Sequence, residues 1–197
     1  MSLVDNPQRF GLVSMLLHWS MAIIIIGLFV LGKYMVDLDY YSPWYKAAPD
    51  FHRSMGFIVA LLLIIRLGWR LFSSQPTMSG KNWEKVTAAW AHRFFYVLIL
   101  AIVVTGYLTT TADGHPVYVF DWFSLPATLS GIENQEDIAG ATHEILTNTF
   151  IILVVIHVAA ALKHHFLNHD TTLLRMLGRT ASSPSHISPN PSKKEIS

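Results

Sequence analysis

The chain has 197 residues, of which 52% are hydrophobic and 14% charged, with a mean hydropathy of +0.39 and a formal net charge of +1. That is too apolar for a water-soluble domain of this size, and the near-zero charge argues against nucleic acid as a partner. With no cysteine, disulfides, thiolate metal sites, iron–sulfur clusters and thioether-linked haem are excluded.

The first ten residues, MSLVDNPQRF, are polar and poor in positive charge. The apolar run after them is too long for the core of a cleavable signal, so it is expected to remain as a membrane helix. A hydrocarbon layer about 30 Å thick needs about 20 apolar residues, and four segments qualify. The first, Gly11 to Leu31, carries no formal charge. The second, His52 to Phe72, contains Arg66 and Arg70, and is taken as spanning because arginines near a helix end can reach back to the headgroups. The third runs from Phe94 to Ala112. The fourth lies within ATHEILTNTFIILVVIHVAAALKHH, Ala141 to His165, which is uncharged from Ile145 to Leu162. The aromatic loops YYSPWY and VYVFDWF are expected along the membrane surface. Residues 179–197 are Ser/Pro-rich and are expected to be a disordered tail. That leaves residues 1–178 as one all-α unit, a transmembrane four-helix bundle.

Loop charge sets the orientation. With the N-terminus inside, eleven of the fourteen Lys and Arg residues fall on the inner side, leaving Lys33, Lys46 and Arg53 outside. Both termini are therefore expected in the cytoplasm.

Polar groups at membrane depth are costly and usually functional, which directs attention to the histidines. His143 and His157 lie fourteen residues apart on the fourth segment, facing nearly the same way and about 21 Å apart along the axis. His52 shares the outer level with His143. His18 and His157 both lie about 8–10 Å from the inner boundary. His92 is expected at the mouth of the third helix, and a deeper start of that helix would bring it to the same level. Two imidazoles at each of two depths, with no thiolate or carboxylate beside them, suit the axial positions of six-coordinate haem iron. Gly56, Gly140 and Ala159 to Ala161 are small residues near these histidines that would admit a flat macrocycle. A histidine-using metal or proton transporter is the competing reading, although intramembrane Asp or Glu would be expected there. A haem-bearing membrane anchor of a larger redox enzyme is another.

The motifs LLHWS, FHRSMG, ATHEIL, IHVAAALKHH and DTTLLRML, in this order between about Asn6 and Gly178, resemble the prokaryotic cytochrome b561 family. The resemblance implies a bacterial inner-membrane protein with two non-covalent b-type haems that exchanges electrons with the quinone pool. Carried over by motif, it implies His18 and His157 as ligands of the inner haem and His52 and His143 as ligands of the outer one. The segment TADGHPVYVFDWFSLPATL resembles a branch often found beside periplasmic lipid-binding proteins, and some members resemble superoxide oxidases. Lys33, Lys46 and Arg53 would have to form a cationic funnel for such an anion, because nine acidic residues lie on the same side. On the inner side, His164, His165, Arg66 and Arg70 are candidate contacts for a quinone headgroup or haem propionates. His164 comes first because it is seven residues after His157 and faces a similar direction.

Overall fold

The computed structural model describes residues 2–7, 9–74, 76–77 and 80–178; the segment 179–197, expected as a tail, lies outside the described residues. Four long helices dominate: α1 (Leu12–Val36), α2 (Ala47–Phe72), α3 (Asn82–Thr110) and α4 (Gln135–Phe166). Each is long and apolar enough to cross a membrane. Helix is the required form there, since every backbone N–H and C=O must find its partner within the segment. Even the β-branched run from Ile23 to Ile26 stays helical.

All four helices outrun the apolar segments. α2 starts five residues before His52, with Pro49 and Asp50 in its first turn, where a missing N–H is harmless and a carboxylate complements the helix dipole. α3 starts twelve residues before Phe94, its first turn closed by the Lys81 N–H donating to the Glu84 carboxylate at 2.8 Å. His92 is thus ten residues inside a helix rather than at its mouth. His52 and His143 are likewise interior.

The helices run up and down, α1 on α2, α2 on α3 and α3 on α4, while α1 and α4 approach each other less closely. Met21, Val59, Leu63, Leu98, Ile99 and Phe150 form the buried core at mid-height. The outward faces are apolar too: Ile23, Val30, Ile64, Leu100, Ile152 and Val155 are all well exposed. So continuous an apolar surface calls for lipid around it.

At one end the N-terminal segment, the α2–α3 linker and a short helix α5 (Thr172–Met176) tie together; we call it the terminal end. Thr77 donates its N–H to Pro7, Arg175 donates to the carbonyl of Thr77, and the Trp19 indole donates to the carbonyl of Met176, all at 3.0 Å. Asp5 is buried, accepting from the Gly11 N–H and, at 2.7 Å, from the Ser14 hydroxyl.

The opposite end carries an element not expected in an all-α chain, an antiparallel hairpin of β1 (Val117–Val119) and β2 (Phe123–Leu125). Phe120 and Asp121 turn it with φ of 46° and 58°, a left-handed conformation that costs about 1–2 kcal/mol per non-glycine residue. Tertiary contacts hold the turn. The Phe120 N–H donates to Ser54 Oγ on α2 at 3.0 Å, its ring meets Phe51, and Val119 is fully buried. The hairpin is thereby fastened to α2 two residues from His52.

Candidate cofactor site

Inside the hairpin end lies a cavity of about 860 Å³ between all four helices, with Val117 and Leu125 of the hairpin among its lining. Its walls are largely apolar, and its volume falls in the range of about 300–1,000 Å³ usual for cofactor sites. His52 of α2 and His143 of α4 both line it, their ring centroids 6.3 Å apart and their planes at 72°. His143 Nδ1 donates to the carbonyl of Ile102 at 2.9 Å. A carbonyl only accepts, so this contact puts the proton on Nδ1 and leaves the Nε2 lone pair for a metal. The Thr105 hydroxyl sits 3.3 Å from the same nitrogen. His52 Nδ1 is buried without a partner.

Two metal–imidazole bonds of about 2 Å each, plus the depth of the rings, put the centroids of a pair sharing one metal about 6 Å apart. Among the described residues no three His, Cys, Asp or Glu side chains converge to hold a metal ion. Two imidazoles alone leave a coordination shell incomplete, so the pair suits a metal that brings its own equatorial donors, as haem iron does.

Glycines make the room. A Cβ on Gly32 would sit 3.3 Å from His52 Cε1, and one on Gly106 would sit 3.1 Å from His143 Cε1, so any larger residue would press on a ring. Neither was singled out in the sequence, where a glycine in an apolar span reads equally as a helix–helix contact. Gly56, which was, borders the cavity with nothing within 4 Å of where its Cβ would stand; Gly140 also borders it, and its Cβ would make an ordinary contact with Thr109. Two of the three cations that the expected cationic funnel would require are paired with carboxylates. Lys33 pairs with Glu144 at 2.7 Å and Arg53 with Asp50.

Toward the terminal end three imidazoles gather rather than two. The ring of His157 meets His92 at 5.7 Å and Phe95 at 5.5 Å. His18 is a neighbour of both His92 and His157, and its Nδ1 is 3.3 Å from Nη2 of Arg66. Arg66 does not reach back to the headgroups as the sequence suggested. Its guanidinium turns into the bundle, where Nε donates to the Tyr96 hydroxyl at 3.2 Å. Arg70 donates to the same hydroxyl at 3.1 Å.

His164 and His165 close α4. His164 Nδ1 is 2.9 Å from the carboxylate of Asp170 and 3.1 Å from the Asn168 amide, while His165 Nδ1 is buried without a partner. The structure therefore brings His52 and His143 together, and it sets His18 and His157 in one cluster with His92. His164 and His165 stand at the C-terminal end of α4, and Arg66 and Arg70 toward that of α2. Tyr96 and Asp170 carried no sequence signal beyond lying near arginines and histidines.

Comparison with known proteins agrees over nearly the whole chain. The family model described as prokaryotic cytochrome b561 matches residues 9–179. Cytochrome b561 homolog 2 of Escherichia coli (strain K12) is 44% identical over 184 residues, covering 92% of this chain and 98% of that protein. Cytochrome b561 homolog 1 of the same organism is 24% identical, covering 87% of this chain and 98% of its own length. The probable superoxide oxidase CybB of Yersinia pestis is also 24% identical, over 86% of this chain and 96% of that protein. With four membrane-spanning helices and a cavity walled by paired imidazoles, the chain belongs to the prokaryotic cytochrome b561 family of b-haem membrane electron-transfer proteins.

Proposed function

We propose that the chain holds two b-type haems and carries electrons across a bacterial inner membrane, between the quinone pool and a partner outside the cell membrane. His52 and His143 are assigned to the haem at the hairpin end, His18 and His157 to the one at the terminal end. The observation that carries this reading is the hairpin-end cavity, with His52 and His143 facing each other across a metal's span and Nε2 of His143 left with its lone pair.

At the terminal end three imidazoles compete for two axial positions. Ligands must approach a flat macrocycle from opposite sides. His18 on α1 and His157 on α4 stand on the two helices that approach each other least among neighbours, whereas α3 and α4 are closely packed. That favours His18 with His157 over His92 with His157, whose rings at 5.7 Å also fall within a shared metal's span, and the family motifs LLHWS and IHVAAALKHH carry the same choice. Haem iron ligated by two imidazoles supplies a one-electron centre with no position open to a small ligand, which suits outer-sphere transfer. The protein's part is to fix the rings, exclude water and set the surrounding charge.

The excess of Lys and Arg at the terminal end supports a cytoplasmic position for it. A quinone would find polar contacts there in His164, whose Nδ1 donates to Asp170 and leaves Nε2 to accept from a quinol hydroxyl, and in His165. The relative from Yersinia pestis is named a probable superoxide oxidase. For this chain the paired state of Lys33 and Arg53 gives an anion little attraction at the cavity mouth, which favours a neutral or cationic redox partner, such as a periplasmic redox or lipid-binding protein.

The test is haem stoichiometry on purified, folded protein supplied with haem, followed by reduction with quinol. Two b-type haems per chain, reduced by quinol, are expected. A single haem, or none, would overturn the reading.

A further inference from the structure

Arg66 uses its donors unevenly. Nε is spent on Tyr96 and Nη2 on His18, but Nη1 is buried with no partner. None of the ion pairs among the described residues includes it. A guanidinium inside a membrane span without a counter-anion is among the costliest groups to leave uncompensated. Tyr96 is in a matching state. Its oxygen accepts from both Arg66 and Arg70, so its lone pairs are used, while its own proton has no acceptor among the described residues. Its ring also faces both guanidiniums, at 6.0 and 5.6 Å.

We propose that Nη1 of Arg66 and the hydroxyl of Tyr96 form a carboxylate site that takes a propionate of the terminal-end haem, with Arg70 bracing Tyr96. The proposal rests on the dihaem reading above. A carboxylate accepts two donors at once and brings the missing charge, whereas a quinone carbonyl is neutral and would leave the guanidinium uncompensated. The need is specific to this end, because Lys33 and Arg53 at the other already have carboxylate partners.

The site also bears on His18. While Arg66 donates to Nδ1 of His18, the neutral ring keeps its proton on Nε2, the wrong nitrogen for an Nε2 ligand. Drawing Arg66 onto a carboxylate releases Nδ1 to take the proton and Nε2 to bind iron. Seating the propionate and preparing the ligand then become one event.

Haem b and its dimethyl ester, in which both propionates are neutral, discriminate the proposal when each is titrated into wild type and Arg66→Gln. The terminal-end haem is identified as the one lost in His157→Ala, and retention of the other haem reports that each variant is folded. Arg66→Gln is expected to weaken native haem at least tenfold at the terminal end and not to weaken the ester, since the variant also frees Nδ1 of His18. Tyr96→Phe should act in the same sense, about threefold, given a single hydrogen bond lost. An equal loss for native haem and ester, as a lipid phosphate or a purely structural role would give, overturns the proposal, and so does no loss with either. Absence of any terminal-end haem from wild type overturns the dihaem reading itself.

Discussion

The two ends of the bundle hold their histidines in opposite ways. At the hairpin end two rings line a cavity with their centroids 6.3 Å apart, glycines stand where side chains would crowd them, and two nearby cations are already paired with carboxylates. At the terminal end three rings are packed among aromatic neighbours, and a guanidinium is turned inward with one nitrogen unsatisfied. α4 supplies a histidine to both levels, so its own sequence does not make the difference. The neighbours do. One end is built around room and the other around charge, which would give the two proposed haems different surroundings, and surroundings are what a protein uses to set a haem's potential.

The sharpest way to break this comparison is to remove one ring from each end. His143→Ala should halve the haem content and abolish the hairpin-end signal, while His157→Ala halves it by removing the other. Haem extraction with low-temperature optical spectra would separate them, and a variant that loses both haems or neither would collapse the distinction between ends. A subtler cut falls within the terminal cluster. His18→Ala should lose the terminal-end haem, whereas His92→Ala should keep it with a shifted spectrum. The reverse pattern would assign His92 as the ligand and His18 as the bystander.

Why the sequence separated the ends only partly can be seen residue by residue. The four spans stand out because runs such as Ile23 to Val30 have no polar alternative, and His52 and His143 share a level because each follows the same end of a span. Helix ends are another matter. Asn82 to Arg93 carries Glu84, Lys85 and Arg93, so hydropathy ends the third span at Phe94, although the backbone continues as helix into the region where charges are solvated. That difference of twelve residues is what left His92 at the mouth of its helix rather than in the terminal-end cluster. The hairpin was hidden for a different reason. Its turn residues, Phe120 and Asp121, include no glycine, and the turn is held by Ser54 of α2, a contact made across 66 positions. Arg66 was read by composition as a headgroup anchor, and only the fold shows its guanidinium facing inward.

Room at the hairpin end can be tested without touching a ligand. Gly106→Val places side-chain carbon where a Cβ already lies 3.1 Å from His143, and should weaken that haem by about tenfold, or about 1.4 kcal/mol. The terminal-end haem should be retained, since Gly106 borders only the hairpin-end cavity among the cavities described. Equal weakening of both haems would mean that the substitution acts on the bundle as a whole.

The smallest expected effect again separates the ends, through two His–Asp pairs that lie outside the spans. The carboxyl of Asp170 is held below the ordinary carboxylate range. Burial alone would raise it, but the Thr172 backbone and side chain and the nearby His164 together outweigh that. Asp113 is also held low, by the His115 N–H and then the His115 ring, yet it is fully exposed. For both, the unfolded chain binds a proton more readily than the folded one, so stability rises with pH across the window between the folded and unfolded values. The contribution is complete above the unfolded value, about pH 3.9, and is lost as pH falls through the lower folded one. Asp170→Asn should therefore flatten the acid limb of thermal stability, followed by tryptophan fluorescence in detergent, and cost of the order of 1 kcal/mol near neutrality. Asp113→Asn should leave that limb unchanged, because solvent screens an exposed pair. Equal flattening by both substitutions would show that burial at the terminal end adds nothing to its pair, and that the contrast between the ends stops at the membrane surface.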